Sequence, residues 1–147
     1  MKPKFIFLIL ASVLLIAAFG AAESRKSTVI QLDHEQVAAA FAKGERLLAT
    51  NNFKVEAGRR TRPGEAEIHD RDTDIFYILE GSATFVTGGK AVEARRTGPD
   101  ETRAKGITGG EERHLVKGDI IVIPTGVPHW FKEVNGPFLY YVVKVSK

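Results

Sequence analysis

Apolar spacing changes three times along the chain. Residues 5–19 form a strongly apolar run, interrupted by Ser12 alone, with Lys2 and Lys4 before it. Small Gly20, Ala21 and Ala22 follow, then polar Glu23 and Ser24. This is the layout of a secretory signal peptide, and the run is shorter than the ~20 residues that span a bilayer. Cleavage is expected within residues 20–22, after Ala22. Next, Val37, Ala40 and Phe41 fall at helical spacing, and Asp33 with Gln36 three residues later forms a capping-box pattern. A helix is predicted over about 34–43. Gly44 weakens or ends it, although Leu47 and Leu48 could continue its face.

Beyond Asn51-Asn52 the period drops to two. Phe53, Val55 and Ala57 alternate with polar residues. Further strand-like runs are 65–69, 74–80, 83–87, 113–116, 120–123, 129–134 and 138–145. Breakers such as Pro63-Gly64, Gly81, Gly98-Pro99, Gly126 and Gly136-Pro137 separate them. Many short strands with no helices between them predict an all-β sandwich or barrel. The runs 120–123 and 138–143 are apolar nearly throughout, so both of their faces are expected to be covered. Gly88-Gly89-Lys90 reads as a hairpin turn, and the Gly- and charge-rich stretch 94–112 as a long mobile loop. The expected division is therefore a signal peptide at 1–22, a helical segment at 23–52 and a β domain at 53–147.

Composition narrows the chemistry. The 147 residues include no Cys, which removes disulfides, thiolate-bound metals and thiol nucleophiles. Loss of Lys2 and Lys4 with the leader leaves 19 basic against 18 acidic residues. That balance gives no reason to expect nucleic acid or an acidic membrane surface as a partner. The 125 residues left after cleavage at Ala22 suit one exported domain, periplasmic or secreted, with no stable membrane insertion. There is no G-x-S-x-G elbow of a serine hydrolase and no Gly-rich phosphate loop.

The chemistry-bearing residues are Glu67, His69, Asp74 and His129. On a strand Glu67 and His69 project side by side, with Ile68 on the other face. Asp74 opens the next strand run, and a Pro124-Thr125-Gly126 turn can return His129 to the same interior. Each residue also has a plainer reading. The histidines can be structural hydrogen-bonders, Asp74 can cap a turn in its Asp-rich loop, and Glu67 can pair with Arg59 or Arg60. His34 and His114 read as surface residues. Trp130 and Phe131 read as packing, with one of them at a cavity mouth as the alternative.

These residues resemble the motifs of the cupin superfamily. Gly118, Pro124, Gly126 and His129 match the second motif, G-x5-P-x-G-x2-H-x3-N, except that Glu133 takes the final position. Glu67, His69, Asp74 and Gly81 match the spacing of the first motif, G-x5-H-x-H-x3,4-E-x6-G. In it Glu67 replaces a histidine, Asp74 replaces the glutamate, and Thr61 stands at the leading glycine position. The resemblance implies an all-β jelly-roll barrel with a short N-terminal helix. It also implies Glu67, His69, Asp74 and His129 as ligands of one divalent transition metal. Two imidazoles and two carboxylates suit Fe, Mn, Zn or Ni. The Glu67 replacement makes the set harder and more anionic, or else marks a site that has lost its metal.

The implied function is an exported metal-binding cupin acting on a small organic molecule, as an oxygenase, isomerase or lyase, with oxygenase slightly favoured. Glu67 or Asp74 would then be a general base. The alternative is a non-catalytic periplasmic small-molecule or metal-binding module, or a metal-stabilised structural protein. A homodimer formed through sheet edges or the 28–50 segment is also implied. Phe76, Tyr77, Ile78, Val122 and Tyr141 are candidate barrel-lining residues. Arg103 is either a contact for an acidic substrate or a solvated loop charge.

Overall fold

In the computed structural model residues 28–147 are described, so the signal-peptide reading of 1–22 lies outside the described residues. The chain divides into Met1–Ile30 and a larger unit, Gln31–Lys147, which carries all that follows. It begins with α1 (His34–Lys43). The Asp33 carboxylate accepts from the Gln36 amide, and the Gln36 side chain accepts in turn from the Asp33 amide. Gly44 ends the helix in the left-handed conformation, at φ 73°. Leu47 and Leu48 do not continue it; they lie in strand β1 (Arg46–Ala49), because the Gly44 turn folds the chain back onto β2 (Phe53–Arg60).

The remaining strands are β3 (Ala66–His69), β4 (Asp72–Thr87), β5 (Lys90–Val92), β6 (Arg95–Gly98), β7 (Glu101–Ala104), β8 (Gly106–Thr108), β9 (Glu111–Val116), β10 (Ile120–Ile123) and β11 (His129–Ser146). Nine of the eleven strands of the described residues form one sheet, with the path β1-β2-β11-β3-β7-β6 and with β4 pairing β9, β10 and β11. β5 and β8 pair separately. Among the described residues the ladders do not close into one continuous hydrogen-bonded ring. The sheet nonetheless curls around one aromatic core of Phe76, Phe85, Phe131, Phe138 and Tyr140. No helix among the described residues is long and apolar enough to cross a membrane.

Two predicted breaks are bends within continuous strands. β4 runs through Gly81, and β11 runs through Gly136-Pro137 with shifts of register there. Gly81 sits at φ 75°, where a Cβ would lie 2.6 Å from the Pro137 carbonyl oxygen. The ladder continues because only glycine permits that approach.

The 94–112 stretch is not a loop. It contributes β6, β7 and β8, because Glu101 and Arg103 share one face of β7 and stand opposite His69 and Glu67 of β3. Gly88-Gly89 is a turn, but not a hairpin turn: β4 continues its pairing with β9, and β5 turns away to β8.

β10 corrects a second expectation. Among the described residues it pairs only with β4, and its outer residues Ile120 and Val122 are 66% and 54% exposed. Its apolar run therefore covers one face only, with Ile123 buried. In β11, Phe138, Tyr140 and Val142 face the core, while the outer face is part-covered by α1, whose Phe41 ring meets Tyr141 edge-on at 4.9 Å. Of the candidate lining residues, Phe76 and Ile78 are buried in the core. Tyr77 and Val122 point out to solvent, and Tyr141 lies beneath the helix.

Gly81→Ala is expected to destabilise the protein by at least about 2 kcal/mol, from left-handed strain plus the carbonyl clash. Gly109→Ala, also left-handed but with open space around it, should cost only about 1 kcal/mol. Urea denaturation of the two variants measures the difference; equal losses would refute the clash at Gly81.

Candidate metal centre

Strand register delivers the site. Lys54, Lys144 and Asp74 stand in one row across β2, β11 and β4, and Glu56, Val142 and Phe76 form the next. On the other side β3 faces β7, so Glu67 is opposite Arg103 and His69 is opposite Glu101. His129 starts β11 opposite Glu67. The Pro124–Gly126 turn is tied in place by the Gly126 amide, which donates to the His69 carbonyl at 2.8 Å. All four residues singled out in the sequence thus meet at one end of the core, beside a cavity of about 380 Å³. Arg60, Glu101, Arg103, Tyr140 and Lys144 share its wall.

Ligand atoms of Glu67, His69 and His129 lie within 4.8 Å of one another. His129 is buried, and its Nδ1 lies 3.1 Å from the Val127 carbonyl. That carbonyl can only accept, so Nδ1 carries the proton and Nε2 keeps a lone pair. Among the described residues Nε2 is buried without a hydrogen-bond partner, 3.9 Å from Glu67 Oε2 and 3.7 Å from Asp74 Oδ2. In His69, Nδ1 lies 2.5 Å from Glu101 Oε2, which leaves Nε2 facing the same centre. A carboxylate behind a histidine in this way fixes the tautomer in metal sites. Glu67 divides its oxygens: Oε1 accepts from Arg103 at 2.5 Å and Arg60 at 3.4 Å, while Oε2 faces the imidazoles. An orphaned buried imidazole nitrogen, an oriented second imidazole and a carboxylate oxygen together fit a divalent metal.

Asp74 is placed differently. Its Oδ2 is 3.3 Å from His69 Nε2, but the same oxygen accepts from Lys144 Nζ at 2.5 Å. Lys144 Nζ is also 2.9 Å from His69 Nε2. Arg103 is no solvated loop charge; it bridges Glu67 and Glu101. The alternative partner for Glu67 is realised in Arg60, whose guanidinium also lies over the Phe131 ring and donates from Nε to the Tyr140 hydroxyl at 3.0 Å. Trp130 packs against Gly106 and donates to the Gly64 carbonyl. His34 and His114 are exposed, as read from the sequence.

Lys144, Glu101 and Tyr140 were missed as site residues. Lys144 had a signal: it is the one charged member of the inward alternate set Phe138, Tyr140, Val142, Lys144. Glu101 had little, since its strand lay in the stretch read as a loop.

The charges act on one another. Burial pushes Glu67 up, but its hydrogen bond to His69 and the charges of Arg103 and Arg60 outweigh burial and hold it well below the usual carboxylate range. Asp74 is likewise held down by His69 and Lys144 against burial. Burial disfavours charge on His69, yet Asp74, Glu101 and Glu67 raise it to about 11. Burial lowers His129 and keeps it neutral. Glu67 and Asp74 are therefore weak proton acceptors, which does not suit the general-base role expected from the sequence.

Glu67 and Asp74 are depressed, so their contribution to stability is complete above the unfolded carboxylate range and is lost as pH falls below about 4.5. His69 is raised, so its contribution is complete below about 6.5 and fades as pH rises toward about 11. The metal-free protein should therefore show its highest Tm near pH 5–6.5, falling on both sides by on the order of 5 °C or more. His69→Gln should flatten the alkaline side, and Glu67→Gln the acid side. Thermal melts from pH 3 to pH 10 test this, and unchanged limbs in the variants would contradict it.

Comparison with known proteins agrees with this architecture. The cupin family model matches residues 64–147, more than half of the chain. A search of curated proteins finds no match. Among solved structures, a protein from Bacillus halodurans is 14% identical, covering 85% of each chain with a TM-score of 0.56. A double-stranded β-helix domain protein from Klebsiella pneumoniae is 19% identical, covering 86% of this chain and 88% of that one at 0.52. A hydroquinone 1,2-dioxygenase in complex with Cd2+ and 4-hydroxybenzonitrile is 15% identical, covering 84% and 83% at 0.54. At such identities these likenesses establish a shared fold. With the matched family model, the two sequence motifs and the curled antiparallel sheet in agreement, the chain belongs to the cupin family.

Proposed function

We propose that this cupin is an exported metalloprotein that binds one divalent transition metal through Glu67, His69 and His129 and acts on a small organic molecule. The observation that carries the reading is the buried, partnerless Nε2 of His129, aimed at the same centre as the His69 and Glu67 ligand atoms. Two imidazoles and one carboxylate with open positions favour Fe(II) and oxygenase chemistry over isomerase or lyase chemistry. A bound metal would supply Lewis acidity or, as Fe(II), a binding place for dioxygen.

The chain's own residues then have distinct tasks. Arg60 and Arg103 hold Glu67 deprotonated and aimed, and Glu101 holds the His69 ring. Burial raises Tyr140 above the usual phenol range, so it stays protonated. Its oxygen accepts from Arg60 Nε, which leaves its own O–H free to donate to a substrate oxygen in the cavity. The aromatic core closes the floor of the cavity and excludes water from that side.

Export rests on the leader at 1–22, and a homodimer belongs to the same reading. The exposed apolar residues of edge strand β10 support the dimer. A second, non-catalytic reading has its own support: Arg60, Arg103 and Lys144 already balance the carboxylates within the chain.

The mature protein is expected to bind about one Fe(II) or Mn(II) per chain by mass spectrometry and equilibrium dialysis. His69→Ala and His129→Ala should each weaken binding by ~100-fold or more. Turnover on a panel of phenols and diketones under oxygen separates enzyme from binding module. Tyr140→Phe should lower turnover ~10-fold or more while leaving metal content unchanged. No metal uptake by the wild-type protein would sink the proposal.

A further inference from the structure

Lys144 is the one feature of the site that a metal centre does not need. It reaches the centre because residues 138, 140, 142 and 144 of β11 all face inward, opposite β4, where Asp74 is its cross-strand partner. Its side chain is only 13% exposed, and Asp74 is 1% exposed. The Asp74 oxygen that Lys144 holds at 2.5 Å is Oδ2, the oxygen that faces both His69 Nε2 and His129 Nε2. The other oxygen, Oδ1, is buried with no hydrogen-bond partner among the described residues.

Glu67 meets its cations in the opposite sense. Arg60 and Arg103 take Oε1, and Oε2 is left toward the imidazoles. Both carboxylates thus turn one oxygen toward the imidazoles, but that of Glu67 is free of a cation while that of Asp74 is held by Lys144. Glu67, His69 and His129 have ligand atoms within 4.8 Å of one another, and Asp74 Oδ2 lies 3.3 and 3.7 Å from the two imidazole Nε2 atoms.

We infer that Lys144 withdraws Asp74 from the metal's ligand set, leaving a three-residue site with open positions and setting its affinity. The inference rests on the metal-binding reading above and deepens it. Two effects act together. Lys144 occupies the Asp74 oxygen that a fourth ligand would use, and its ammonium, 2.9 Å from His69 Nε2, must give up that nitrogen and repels the incoming divalent cation. Removal of the ammonium frees Asp74 Oδ2 to join the set.

The test is a double-mutant cycle on the mature protein, with Mn(II) as the probe for affinity and Co(II) absorption as the readout of coordination. Lys144→Met should bind Mn(II) tighter by on the order of tenfold or more, and its Co(II) spectrum should change as a ligand is added. Asp74→Asn alone should weaken binding less than tenfold, whereas in the Lys144→Met background it should erase the whole gain. Lys144→Gln serves as a second removal of the charge, and melting curves establish that each variant is folded. If both Lys144 variants fail to fold, Asp74→Asn alone decides: small loss supports the inference, and loss of binding overturns it. Wild-type binding with no gain in Lys144→Met or Lys144→Gln also overturns it, leaving the metal reading intact. Absence of binding in every variant and in the wild type overturns both. Binding in the Lys144 variants but not in the wild type overturns the three-residue site in the wild type, and with it the inference.

Discussion

The antiparallel pairing of β4 with β11 sets the geometry of everything else. The two strands are 16 and 18 residues long and run together from end to end, from Asp72 opposite Ser146 to Thr87 opposite His129. Side chains two apart share a face, so this one register decides which residues look into the core. It stacks Phe76 on Val142 and Ile78 on Tyr140, and it places Lys144 against Asp74. A slip of one residue would turn Asp74, Lys144 and the core aromatics to the outside together. The bend at Gly81 lets a single long ladder wrap its contents instead of remaining flat. Metal-site geometry is therefore a by-product of sheet curvature.

Placing Glu67 where the motif has a histidine introduces a charge that must be compensated in a part-buried place. Isolated, it would be costly; desolvation of a carboxylate is several kcal/mol even after relaxation. Here Arg60 and Arg103 converge on one of its oxygens, and Asp74 has Lys144. The chain thus carries alternating charge across neighbouring strands. Arg60 is shared between Glu67, the Tyr140 hydroxyl and the Phe131 face, which couples the polar site to the aromatic core. Such networks are rigid when complete and sensitive to the loss of any member.

Much of this was legible in the chain itself. The capping box from Asp33 to Gln36 and the end at Gly44 defined α1, because caps are local chemistry. The motif spacings brought Glu67, His69, Asp74 and His129 together, because they count residues along strands whose period is fixed. What escaped depends on partners far away in sequence. β6 and β7 look like loop by composition; they are strands because β3 offers a free edge. Gly81 and Gly136-Pro137 look like ends, since the sequence does not reveal that two bends coincide. The roles of Lys144 and Glu101 come from cross-strand register, which a single strand's pattern cannot supply. The exposed side of β10 was misjudged for the same reason: an apolar run does not say whether a neighbour exists to cover it.

Trp130 is the chain's single tryptophan, and it follows His129 directly. Its indole N–H is anchored on the Gly64 carbonyl at 2.8 Å, and its ring lies on Gly106, where a Cβ would come within 3.2 Å. The fluorophore is therefore held still at one place, one residue from the imidazole at the centre of the site. No second indole blurs its emission. The molecule carries a built-in optical label, and its brightness and colour report the state of that one corner of the sheet without any added dye.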